Sequence, residues 1–285
     1  NGALIGGDPV IAKMLEQVRQ KHAVPAMAAA VITSKRLQKI ATAGIRKWGT
    51  NVSVTQEDLW HLGSDTKIMT STLAAILIEQ GKLKWTSTVS EIFPELVDSF
   101  YPDNKQVSLL QLLSHRAGLP ANLTYSKLLK YGTVQQQRIE AVKKGLSQKP
   151  LSAPGSEYLY SNLGYIIAGA MIERVTGISW EDALKKHIFL PLGMESAGFG
   201  GLGTPGQIDQ PWGHKSSGKP FYTNGPLADN LPALGPSGAV HCSIQDWGKF
   251  IQDQLMGARE EGVLLKPQSY QMLQSTHFGG DYAFG

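Results

Sequence analysis

The feature that most restricts the fold is a helix without a polar face. From Asp65 to Gln80 the spacing is helical, and at its centre Leu73-Ala74-Ala75-Ile76-Leu77-Ile78 is apolar on every side of the cylinder. Gly81 follows at the position where a left-handed C-cap belongs. Such a helix is buried at the centre of its domain, so the rest of the chain has to surround it. With 285 residues, 42% apolar and 18% charged, the chain is long enough to do so and sits near the size at which one fold becomes two lobes. The run Leu73 to Ile78 is also the longest apolar candidate for a membrane span, and it falls far short of the ~18 residues required. A soluble protein without a transmembrane segment is expected.

Around this helix the sequence predicts a hairpin packed on a helix, followed by a mostly α middle. Asp8-Pro9 opens a first helix over about 9–22, with Ile11, Met14, Leu15 and Val18 at helical spacing before a break at Val24-Pro25. Met27 to Thr33 and Leu37 to Thr42 read as strands joined by the polar turn Ser34-Lys35-Arg36. Further helices are expected at about 108–115, 134–147, 162–176 (ended by Gly177), 179–188 and from Asp246 to Leu255. Between 198 and 236 Gly, Pro, Ser and Asn predominate, which predicts a long irregular excursion. The inferred architecture is α+β: an antiparallel sheet flanked by helices, from residues 1–60 and 236–285, with a mostly helical lobe over 61–235. A substrate site is expected in the cleft between two such lobes.

Charge and cysteine content exclude several function classes. A net charge of +4 is spread along the chain with no run of five or six like charges, so nucleic acid is not an expected partner. The single cysteine, Cys242, rules out an intrachain disulfide and reads as a packed small residue. No Cys/His spacing resembles a zinc site.

Chemistry is concentrated in two short elements. Gly63-Ser64-Asp65-Thr66-Lys67 puts a hydroxyl at the first turn of the buried helix and an amine three residues on, so that both side chains share one face. A serine needs a base to take its proton, and a lysine in an apolar site loses the hydration that stabilises its charge, so its pKa falls toward a useful range. The helix N-terminus favours the negative charge that develops on a substrate carbonyl, which makes the Ser64 N–H a candidate oxyanion donor. S-x-x-K spacing alone is weak, with about one chance match expected in such a chain. Ser216-Ser217-Gly218-Lys219 also fits, but lies in the irregular excursion where no helix aligns the pair. The second element, Tyr160-Ser161-Asn162, precedes the helix that runs to Thr176. Its tyrosine either points a phenol into a cleft or packs in the core, and Asn162 either caps the helix or binds substrate. Tyr222-Thr223-Asn224 repeats the pattern within the excursion. The order favours the first copies: a helix-borne S-x-x-K, a helical insert, then Y-x-N.

These residues resemble the class C β-lactamases and their relatives among D,D-peptidases and carboxylesterases, over nearly the whole chain. Leu112-Leu113-Ser114-His115-Arg116-Ala117-Gly118-Leu119-Pro120 looks like the segment leading into the family's substrate-binding loop, and by that match Asn122 takes the place of a substrate-contacting amide. Pro154-Gly155-Ser156, Pro191-Leu192-Gly193-Met194 and Pro236-Ser237-Gly238-Ala239-Val240 look like its framework. The resemblance implies acyl transfer without metal or organic cofactor. Ser64 would attack an amide, lactam or ester carbonyl of a small-molecule or peptide substrate, and the acyl-enzyme would then be hydrolysed. Lys67 and Tyr160 would move its proton, while Asn162 and Asn122 would contact substrate. By the same analogy the protein is periplasmic or secreted. His115 reads as a structural histidine.

One family element is out of place. The third motif, K-T-G or H-x-G on a strand facing the serine, is matched in letters by His277-Phe278-Gly279, yet Tyr282-Ala283-Phe284-Gly285 looks like the family segment that precedes it. His277 is therefore read as a loop or surface histidine. Further C-terminal residues, or a second chain, are expected to complete the sheet and cover its edge. Asn51 and Asn122 each begin an N-x-S/T sequon, a pattern short enough to arise by accident.

Overall fold

The structure, a computed structural model, describes residues 5–221 and 227–284. In chain order its strands and α-helices are β1 (Ile5–Gly7), α1 (Pro9–Lys21), β2 (Ala26–Ile32), β3 (Leu37–Gly44), β4 (Leu59–His61), α2 (Thr66–Glu79), α3 (Val89–Ile92), α4 (Leu109–Leu113), α5 (Val134–Leu146), α6 (Asn162–Thr176), α7 (Trp180–Leu184), α8 (Leu190–Leu192), β5 (Gly198–Phe199), α9 (Gly235–Gly238), β6 (Val240–Ser243), α10 (Ile244–Gly257) and α11 (Pro267–Leu273). They form two compact units. The first comprises Asn1–Leu62, Phe189–Asp229 and Val240–Val263; the second comprises Gly63–Ile188, Asn230–Ala239 and Leu264–Gly285.

Two stretches group differently from the sequence expectation, each for a visible reason. Residues 189–229 group with the N-terminal segment because β5 pairs with β6, and because Asp246 accepts from both the Ser196 N–H and its hydroxyl. Residues 264–285 group with the helices: the Lys266 N–H donates to Glu79 at the end of α2, and Trp85 stacks on Phe284 at 5.3 Å.

In the first unit there are two small antiparallel sheets, ordered β1-β3-β2 and β4-β6-β5. α1 begins as the sequence predicts, with the Asp8 carboxylate accepting from the Val10 and Ile11 N–H groups and Pro9 in the first turn. Its buried stripe is narrower than the apolar pattern suggests. Ala12 and Leu15 pack on Ala41 and Ala43 of β3, with Ile11 half-buried beside them, whereas Met14 and Val18 are exposed. The small residues of β3 leave room only for small contacts. β1, β4, β5 and β6 have two to four residues each, too short for an alternating pattern to announce them. Cys242 of β6 lies opposite Trp60 of β4 and is fully buried, and burial pushes its thiol up to about 12. The described part of the 198–236 excursion is indeed sparse in regular structure: β5, α9's first residues, an isolated bridge between His214 and Pro220 and a 3-10 turn at Pro232–Leu234.

The second unit is built on α2. All its residues from Thr66 to Leu77 are buried except the half-buried Ile68, as the absence of a polar face requires. Three of its hydroxyls find carbonyls: Thr70 donates to the Pro236 carbonyl of α9 at 2.7 Å, and Ser71 and Thr72 donate to carbonyls one turn back. α6 packs against α2, α5 and α9. It is capped by Ser161, whose hydroxyl accepts from the Gly164 N–H, and it closes at Gly177 with φ 73°. A Cβ on Gly169 of α6 would lie 2.2 Å from the Pro236 side chain, so α9 approaches only because that position is glycine. Arg138 of α5 is fully buried. It donates to Glu173 of α6, to Glu181 of α7 and to the carbonyls of Pro232 and Ala233.

Candidate active site

All five candidates belong to the second unit, and each contacts another. The chain turns into α2 through one 3-10 turn, Gly63–Asp65, so Ser64 stands just before the α-helix and not within its first turn. The Lys67 Nζ nevertheless reaches the Ser64 Oγ at 3.1 Å. It also donates to the Asn162 Oδ1 at 2.8 Å and to the Ser237 carbonyl at 2.7 Å. Amide oxygens only accept, so these two bonds fix two N–H directions. The remaining tetrahedral position faces the serine, and it carries an N–H when Lys67 is charged or a lone pair when it is neutral. Lys67 is wholly shielded from solvent, and its desolvation pulls the pKa from 10.5 down to about 8, only partly opposed by the charge of Asp65.

On the other side of the serine, the Tyr160 hydroxyl donates to Ser64 Oγ at 2.8 Å. Tyr160 is not a core residue: it is 38% exposed. Asn162 is not the cap of α6, a role filled by Ser161, and its side chain is thereby left to bridge Lys67 and Asn122. The Asn162 Nδ2 donates to the Asn122 Oδ1 at 2.9 Å. Asn122 also lines a polar cavity of about 540 Å³ with Thr124, Lys127, Lys144 and Gln148. A cavity of about 230 Å³ in the first unit contains none of the five candidates.

One participant, Ser237, carried no side-chain signal in the sequence. Ser237 serves through its backbone carbonyl, for which no side-chain letter exists, although Pro236-Ser237-Gly238 stood out as framework. The second S-x-x-K, Ser216 to Lys219, forms a tight turn in which Lys215 and Lys219 pair through their backbones, with no helix. The second Y-x-N, Tyr222 to Asn224, lies outside the described residues. His277 sits in a loop after α11, bonded through Nε2 to the Met272 carbonyl and stacked near Phe284. Among the described residues no cluster of His, Cys, Asp or Glu is suited to hold a metal ion, and no helix is long and apolar enough to cross a membrane.

Known proteins share this fold. A class C beta-lactamase from Rhodobacter sphaeroides superposes with a TM-score of 0.74 at 22% identity, covering 94% of this chain and 70% of that one. Penicillin-binding protein 4 of Amycolatopsis lactamdurans is 30% identical over 182 residues, 64% of this chain and 46% of that protein. An unguisins hydrolase, ungD', of Aspergillus campestris is 26% identical across 95% of this chain and 51% of its own length. The chain thus spans about half the length of these two curated relatives. Because the Beta-lactamase family model matches residues 11–285, nearly from end to end, this chain belongs to the Beta-lactamase family.

Proposed function

We propose that the chain carries a serine hydrolase centre that works through a covalent acyl-enzyme on an amide, β-lactam or ester carbonyl. The observation that carries this reading is the contact of one hydroxyl, Ser64 Oγ, with both a buried lysine of depressed pKa and a tyrosine hydroxyl. With Lys67 neutral, Ser64 gives its proton to the Lys67 lone pair while its oxygen attacks the carbonyl carbon. The oxyanion accepts from the Ser64 N–H at the entrance to α2. The C–N or C–O bond then breaks, and the leaving nitrogen or oxygen takes a proton through the Tyr160 hydroxyl, which is replenished from the Lys67 ammonium. Water repeats the attack on the ester, again losing its proton to this pair, and a carboxylic acid leaves with Ser64 restored. Lys67 and Tyr160 touch the same oxygen, so the proton belongs to the pair.

Asn162 and Asn122 form the polar edge against which the acyl group of the substrate lies, with the cavity beyond Asn122 receiving its side chain. A penicillin-binding protein among the relatives favours a lactam or amide over a simple ester. By analogy with the family we place the enzyme in the periplasm or outside the cell. Intact-protein mass spectrometry after exposure to a fluorophosphonate and, separately, to a penicillin tests the reading. One adduct is expected on the wild type and none on Ser64→Ala. A persistent penicillin adduct identifies a peptidase-like enzyme, and rapid loss of it with product release a lactamase. Absence of any Ser64 adduct with both reagents overturns the proposal.

A further inference from the structure

Tyr160 poses a physical problem that the catalytic contacts do not solve. Its phenol is 38% exposed and it precedes α6, so neither burial nor helical geometry fixes its position, yet its hydroxyl has to stay on Ser64 Oγ. We infer that His115 is the positioning residue that holds Tyr160 in place, a role that rests on the hydrolase reading above. The imidazole belongs to a clamp that grips the backbone on both sides of Tyr160. The Leu159 N–H donates to the His115 carbonyl at 2.8 Å, and the Ser161 N–H donates to the His115 Nδ1 at 3.0 Å. The tyrosine between them meets the imidazole face, with ring centroids 4.4 Å apart and planes inclined by 34°.

The backbone of His115 shows how the clamp is built. Its φ of 58° is in the left-handed region, uncommon for a residue with a Cβ, though histidine tolerates it better than most. Such a conformation persists only where the surroundings over-determine it. Here α4 ends at Leu113, and the left-handed turn lets residue 115 offer both its carbonyl and its ring to the strand of chain at 159–161. The rings of Tyr158, Tyr165 and Tyr282 enclose the imidazole at 5.7, 5.3 and 5.1 Å.

His115 is not itself a proton carrier. Its Nδ1 is occupied as an acceptor, so the ring proton resides on Nε2, which is buried with no hydrogen-bond partner. Burial, assisted by the nearby positive charge of Lys67, lowers its pKa to about 3. The imidazole therefore stays neutral, and its acceptor stays available to Ser161, throughout the pH range in which Lys67 titrates.

Two variants separate this role from general packing. His115→Gly adopts φ 58° without strain but removes both the ring and the acceptor. His115→Asn also tolerates that backbone and places its Oδ1 where Nδ1 accepts. Crystal structures of the two variants are compared with fluorophosphonate acylation rates at Ser64. In His115→Gly the Tyr160 hydroxyl is expected to leave Ser64, and acylation to slow on the order of a hundredfold, as displacement by an ångström or so commonly does. His115→Asn is expected to keep the Tyr160–Ser64 hydrogen bond and regain at least about tenfold of the rate, a rescue that a merely space-filling role does not give. An unmoved Tyr160 in His115→Gly, or a displaced one in a folded His115→Asn, overturns the inference. The second outcome decides it even if the glycine variant does not fold. Failure of the wild type to label at Ser64 removes the hydrolase reading, while the Tyr160 positions in the variants still decide what His115 holds.

Discussion

Three acceptors surround the Lys67 amine, yet burial draws its pKa down to about 8, because hydrogen bonds replace only part of the hydration that an ammonium has in water. The sign of the consequence is definite. Under the proposed mechanism, in which Lys67 takes the Ser64 proton, the lysine is charged below pH 8 and has no lone pair for Ser64, so acylation is expected to rise about tenfold per pH unit up to pH 8 and to level off above it. A stopped-flow pH profile of Ser64 acylation checks this; a flat profile between pH 6 and 9 contradicts it. Stability follows the same proton. The unfolded chain holds it up to about pH 10.5 and the folded chain releases it near 8, so wild-type stability rises with pH across that window. The stability of the wild type relative to Lys67→Met is therefore expected to improve from pH 8 to 10, by up to about 3 kcal/mol in chemical denaturation. The Ser64–Lys67 pair was legible in the sequence because three-residue spacing at a helix entrance is a geometric statement, whereas Tyr160 was singled out only by the order of the motifs and the resemblance to a family. The Ser237 carbonyl and the left-handed His115 were not, since a backbone oxygen and a backbone angle leave no letter.

At the level of elements, the central helix was legible from its apolar circumference alone, and α6 from its closing glycine. What escaped was how closely helices approach. Gly169 sits where any side chain would collide with Pro236, so Gly169→Ala is expected to push α9 away from α6 and, with it, the Ser237 carbonyl from Lys67. A loss of about 1–3 kcal/mol is expected, together with a lower acylation rate; thermal melts and labelling of the same samples read both. Arg138 makes a comparable prediction for the tie among α5, α6 and α7. Arg138→Leu leaves Glu173 and Glu181 without their buried partner and is expected to cost about 3–5 kcal/mol in urea unfolding. Nothing in the sequence singled out this arginine, because its partners are thirty-five and forty-three positions away and periodicity is blind to them.

For the molecule as a whole, the single thiol provides a reporter. Cys242 is fully buried with its pKa pushed up to about 12, so a disulfide reagent at pH 8 is expected to leave the native protein untouched and to react fully in concentrated guanidinium chloride. Prompt reaction of the native protein would mean that β6 is open. Sequence reasoning drew two lobes, 1–60 with 236–285 and 61–235, the second as one unbroken stretch, whereas the observed groupings follow pairings and stackings between distant residues, such as β5 with β6 and Trp85 with Phe284. The interleaving has a consequence for synthesis. The helices α2 through α7 form one uninterrupted span that can gather as soon as it leaves the ribosome, but β4, translated before them, has to wait for β6, translated after them. At ordinary elongation speeds that delay is roughly ten seconds or more, during which a nascent strand shows its unpaired edge to chaperones and to neighbouring chains alike.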